Sequence, residues 1–198
     1  MMPAHYALSD AAIVLVACWF GLALWRNGQR LPVMVMACFA VPAAIGVIRL
    51  GGGLQDELAG VHSGSSLMLG LAGAVALAVV CLQRIVNRDH WLLAGGTLVC
   101  AAAVFHLAKS LIAPLFILAL VVALGAAVWG SVRRGASWLV PAGVVVLLVN
   151  VLLIRRAPWL GEAMAWHAYH VLIAVALALV ALGLMSDPDR VGVVRGRG

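Results

Sequence analysis

Charge is what this sequence has least of. Asp, Glu, Lys and Arg fill 10% of its 198 positions, against roughly 25% in soluble domains. The hydrophobic share is 65% and the mean hydropathy +1.12, which excludes a soluble enzyme, a nucleic-acid module and a disordered chain. The 21 glycines follow no triplet period, so collagen is excluded too. Cysteine is scarce and dispersed: Cys18, Cys38, Cys81 and Cys100 fall on four different apolar stretches with no CxxC spacing. That argues against a disulfide framework or a thiolate zinc site, and for small core residues. No basic segment precedes the first apolar stretch, and Trp25-Arg26 ends it where a cleavable signal would place small residues. No internal repeat points to an inverted-repeat transporter. What is present is apolar sequence enough for about seven spans of roughly 20 residues, without room for a soluble domain.

The expected fold is therefore an all-α integral membrane protein, one domain over 1–198, with spans at 9–26, 33–50, 61–83, 91–111, 112–131, 136–154 and 161–185. Polar breaks separate them: Arg26 to Pro32, Gly51 to Gly60, Gln83 to His90, Lys109 to Pro114, Ser131 to Gly135 and Arg155 to Pro158. Pro42 and Pro141 sit inside the second and sixth spans as kink candidates, and Gly70, Gly73, Gly95, Gly96, Gly125 and Gly143 allow close helix approach. Lys and Arg are retained on the cytoplasmic side of short loops. With the N-terminus outside, Arg26, Arg30, Arg84, Arg88, Arg133, Arg134, Arg190, Arg195 and Arg197 lie inside, and Arg49, Lys109, Arg155 and Arg156 outside. This split favours an odd number of spans with the C-terminus in the cytoplasm. It makes the net charge of +6 a topology signal, with membrane lipid and no nucleic acid as partner. The expected location is a multi-pass place in a bacterial cytoplasmic membrane.

Polar residues inside spans carry the functional signal, because a central charge costs on the order of 2.5–3.5 kcal/mol on insertion scales. In this topology they gather at the outer side. Asp10 starts helix one, Arg49 ends helix two, and His62 with Ser63, Ser65 and Ser66 starts helix three. His106 and Lys109 end helix four, Asn150 lies in helix six, and His167 and His170 lie in helix seven. The pattern predicts one outward-facing polar cavity. Within Trp166-His167-Ala168-Tyr169-His170, a spacing of three puts two imidazoles about one turn apart on one face. Imidazoles with a carboxylate suit zinc, iron or copper. His5 and His90 flank spans as interfacial residues, with the tryptophans as a belt.

Seven short-looped helices, polar residues at one end, and a histidine pair early in helix seven resemble the CREST superfamily, which includes alkaline ceramidases and the progestin and adiponectin receptors. The resemblance covers the architecture of the whole chain and is specific around residues 166–170. It implies a zinc-dependent amide hydrolase within the bilayer. The family spaces its helix-seven histidines by four and carries a serine-to-histidine motif on helix two. Here the spacing is three, and His62 and Ser66 lie on helix three. Two chemistries follow. In the first, His62, His167 and His170 hold zinc, a bound water is acidified toward a pKa of about 7, and Asp10 and Ser66 assist attack on a lipid amide or ester. Arg49, Lys109, His106 and Asn150 would then line the cavity. In the second, haem b is ligated by His106 with His167 or His170 and carries electrons. A third reading is a packing or interaction protein whose polar cluster only joins helices.

Overall fold

The computed structural model describes residues 4–86 and 92–186, and among them every regular element is helical. Seven α-helices run in order: α1 (Ala7–Arg26), α2 (Arg30–Gly51), α3 (Ala59–Val86), α4 (Leu92–Leu107), α5 (Ile112–Arg134), α6 (Leu139–Leu152) and α7 (Glu162–Met185). Short 3-10 turns occupy Ala4–Tyr6, Lys109–Leu111, Ile154–Arg156 and Pro158–Leu160. The expectations for Arg88, His90, Trp91, Arg190, Arg195 and Arg197 lie outside the described residues.

Five segments are long and apolar enough to cross a membrane: Ala4–Arg26, Arg30–Gly51, Ala59–Ile85, Lys109–Arg134 and Glu162–Met185. Their outward faces are apolar as well. Leu8, Leu15 and Trp19 are about 70% exposed or more, a surface that water penalises and hydrocarbon does not. Cys18 and Cys100 are exposed on this surface, and Cys38 and Cys81 are buried; all four are free. The expected sixth span is shorter than its sequence range. α6 has 14 residues, about 21 Å at 1.5 Å per residue, because its last turns give way to the 3-10 turns around Arg155, Arg156 and Pro158. Pro141 lies in its first turn, where no intrahelical N–H is missing, so it produces no kink. Pro42 is inside α2.

Helix adjacency gives a ring. α1 packs on α2, α2 on α3, α3 on α5, α5 on α6, α6 on α7, and α7 back on α1. α4 stands outside the ring against α3. Close approaches mark two seams. A Cβ on Gly143 would come within 2.8 Å of the Ala176 carbonyl, and one on Gly183 within 2.9 Å of the Val140 amide, so α6 and α7 touch backbone to backbone. Gly73 likewise admits the Phe39 ring and Cys38 between α2 and α3, whereas Gly96 and Gly125 meet nothing within 4 Å. Leu77, Leu120, Leu147 and Leu177 are fully buried within the ring. At one end of the bundle, Arg134 donates to the Arg84 carbonyl at 2.8 Å and to the Ile85 carbonyl. It satisfies the last turn of α3 and complements its negative dipole end. Gly135, at φ +66°, then turns the chain out of α5. The other end is open.

Candidate active site

All six ring helices, and not α4, supply walls to a chamber at the open end. Asp10 and Ile13 come from α1, Phe39, Pro42 and Ala43 from α2, and His62, Ser66 and Leu67 from α3. Ile112 and Phe116 belong to α5, Leu147 and Val151 to α6, and Tyr169, His170 and Ile173 to α7. The chamber encloses about 150 Å³ and is mostly apolar below the level of the histidines. A wider vestibule of about 780 Å³ lies over it, lined by Arg49, Ser63, Arg155, Glu162 and Trp166 among others. His62, Ser66, Leu67, Arg155, Tyr169 and His170 line both spaces. They are the throat between them.

At the throat three helices bring a carboxylate and two imidazoles together. Asp10 sits in the first turn of α1, at the favourable end of the helix dipole, and is 0% exposed. Ser9 does not cap this helix; its hydroxyl donates to the Tyr6 carbonyl at 3.0 Å. The Asp10 carboxylate lies against the α2 backbone at Gly46. A Cβ there would overlap Asp10 Oδ2 and would sit 2.9 Å from Asp10 Cγ and 3.3 Å from His62 Nε2. Gly46 is thus the slot that lets Asp10 and His62 approach the same point.

His170 faces Asp10 from α7, with Nε2 3.1 Å from Oδ1. Its Nδ1 is 2.8 Å from the Trp166 carbonyl. A carbonyl only accepts, so Nδ1 carries the proton, and in a neutral imidazole Nε2 is then a bare lone pair. Neither Asp10 oxygen has a hydrogen-bond donor in place among the described residues. Two buried acceptors therefore face each other, an arrangement that costs free energy unless a positive charge lies between them. A second proton or a metal ion supplies it. Two zinc ligands, each about 2.0–2.2 Å from the ion in a tetrahedron, lie roughly 3.3 Å apart, so the 3.1 Å contact fits two positions of such a site. Among the described residues no three His, Cys, Asp or Glu side chains form a metal-holding group, so the fit stops at a pair.

The other sequence candidates disperse. His167 lines neither space; its Nδ1 is 3.2 Å from Ser9 Oγ, and its ring packs on His5 and Tyr6. The two helix-seven imidazoles thus serve different neighbours despite their spacing. His106 is exposed on α4, outside the ring, edge-on to Phe105, and Lys109 Nζ stacks 4.8 Å above that same ring. Arg49 lines the vestibule and donates through Nε to the Gln55 carbonyl at 2.8 Å. Asn150 is fully buried away from both spaces and donates to the Tyr169 carbonyl at 2.8 Å, joining α6 to α7 behind the throat. Asn150→Leu should lower the stability of the α6–α7 pair by about 0.6–1.7 kcal/mol, the range for interhelical side-chain bonds in membranes. A thermal scan of the detergent-solubilised variant checks this.

Sequence reasoning missed Gly46, Trp166, Tyr169 and Arg155 as site members. Arg155 carried a signal, since the orientation expected from the sequence leaves it on the side where basic residues are disfavoured. Comparison of the chain with family models, with curated proteins and with solved structures finds no match.

Proposed function

We propose that this chain is a seven-span membrane protein, N-terminus outside and C-terminus cytoplasmic, that hydrolyses an ester or amide of an acyl amphiphile at an outward-opening site. The observation that carries the reading is the buried Asp10–His170 contact at the throat between an apolar chamber and a polar vestibule. The acyl end fits below and the head above, which sets the carbonyl at the throat. The Asp10–His170 pair takes a proton as water adds to that carbonyl carbon and returns it to the departing oxygen or nitrogen. Ser66, which lines both spaces, would donate its hydroxyl to the carbonyl oxygen. Zinc is the second reading, favoured by the facing lone pairs; bound there, it would polarise the carbonyl and acidify water. Asp10 and His170 would hold it, with His62, which lines the same chamber, as the candidate third ligand.

The test uses 4-nitrophenyl octanoate in detergent micelles with the purified protein. Hydrolysis that survives His106→Ala and is lost in His170→Ala supports the reading. No hydrolysis above the micelle background, or a Soret band in the purified protein, overturns it. Elemental analysis separates the two forms of the reading: stoichiometric zinc lost in His170→Ala and kept in His167→Ala selects the metal. The topology has its own check. A reporter after Gly198 should read as cytoplasmic and one inserted near Gly52 as external.

A further inference from the structure

The vestibule is lined by donors. Arg49 and Arg155 both face it. Arg49 spends only its Nε on the Gln55 carbonyl, and Arg155 stacks 5.8 Å from the Tyr169 ring. Neither makes an ion pair among the described residues. The one acid on this wall, Glu162, is exposed. In the proposed orientation these arginines stand on the side of the membrane where Lys and Arg are disfavoured. Arg26, Arg30, Arg84, Arg133 and Arg134 stand on the other side. Two of the few basic residues at the outer end are thus placed at the mouth of the one space that ends in the Asp10–His170 pair, with unused guanidinium donors.

Below the throat the chamber is small. About 150 Å³ is the size of a cavity that accepts one benzene, so it takes a short stretch of a single acyl chain and not two chains. We infer that the site selects a single-chain amphiphile whose head is an anion, a carboxylate or phosphate, bound by Arg49 and Arg155 while the acyl end enters the chamber. Guanidinium groups bind such heads through paired, charge-assisted hydrogen bonds. This rests on the proposed site and names its substrate class.

Calorimetric titration of the purified wild-type protein with N-octanoylglycine, its methyl ester and N-acetylglycine tests the inference. N-Octanoylglycine should bind at least about tenfold more tightly than the neutral ester, the size of one or two charge-assisted hydrogen bonds. It should also bind more tightly than N-acetylglycine, which has the head without the chain. Arg155→Gln should erase most of the preference for the anion over the ester. Arg49→Gln should do the same, and Arg49→Lys should keep part of it. Because Arg49 also holds a loop carbonyl, Arg155→Gln, which breaks no such bond, is the deciding variant. Equal affinity for acid and ester, or an unchanged preference in Arg155→Gln, overturns the inference. Binding of N-acetylglycine as tight as that of N-octanoylglycine overturns it as well, in favour of a site for a free small anion. The readout is binding alone, so charge selection without hydrolysis leaves the inference standing and removes the hydrolase. Hydrolysis without charge selection does the reverse.

Discussion

Asp10→Asn should give a folded, monodisperse protein whose hydrolytic rate falls by about 10²–10⁴, the range that a positioned acid–base group contributes. Asn is close to isosteric with Asp, and its amide N–H can donate to His170 Nε2 across the present 3.1 Å gap. The facing acceptors become an ordinary hydrogen bond, so the fold has no reason to weaken and gains a satisfied buried pair. What is lost is the proton, or the ion, that the carboxylate and imidazole hold between them. Retained or raised thermal stability together with a collapsed rate is the expected combination. A variant with both stability and rate unchanged would show that the pair has no part in turnover.

Gly46→Ala should be nearly as damaging to the rate, and it should also weaken the fold. The new methyl would occupy the place of Asp10 Oδ2 and press on His62 Nε2 at 3.3 Å. Either α1 and α2 must separate or the carboxylate must swing away from His170, toward the chamber that Asp10 lines. Overpacking of this kind costs about 1–3 kcal/mol. The double variant Asp10→Ala with Gly46→Ala distinguishes this account from a general helix defect. Removing the carboxylate removes the collision, so the double variant should be more stable than Gly46→Ala alone while remaining inactive. Such strong non-additivity is what contacting residues show. Additive losses would mean that Gly46 acts elsewhere.

The helices themselves were legible in the sequence because apolar runs and their polar breaks dictate them: α2 over Arg30–Gly51 and α7 over Glu162–Met185 fall within a few residues of the expected spans. The gathering of polar groups at one end was legible for the same reason. What spacing could not supply was rotation about each helix axis. His167 and His170 are one turn apart, yet α1 takes one through Ser9 and Asp10 takes the other. His106 was expected at the same end of the bundle, but its helix lies outside the ring, a fact about neighbours that no single helix encodes. Gly46 was silent for the opposite reason. Its role is to have no side chain, and it becomes visible only when α1 is laid against α2.

The ring also sets an order of events during synthesis. Its closing seam joins the first helix to the last, and the Ser9–His167 contact spans 158 residues of chain. Until α7 arrives, α1 shows Ser9 and Asp10 to whatever surrounds the growing bundle, so the unfinished protein carries a buried-type carboxylate without its partner. A ribosome-bound intermediate ending after α6 should therefore stay engaged with the insertion machinery or its chaperones, and an abandoned one should present a ready mark for membrane proteases. The same residue that equips the finished protein would identify the incomplete one.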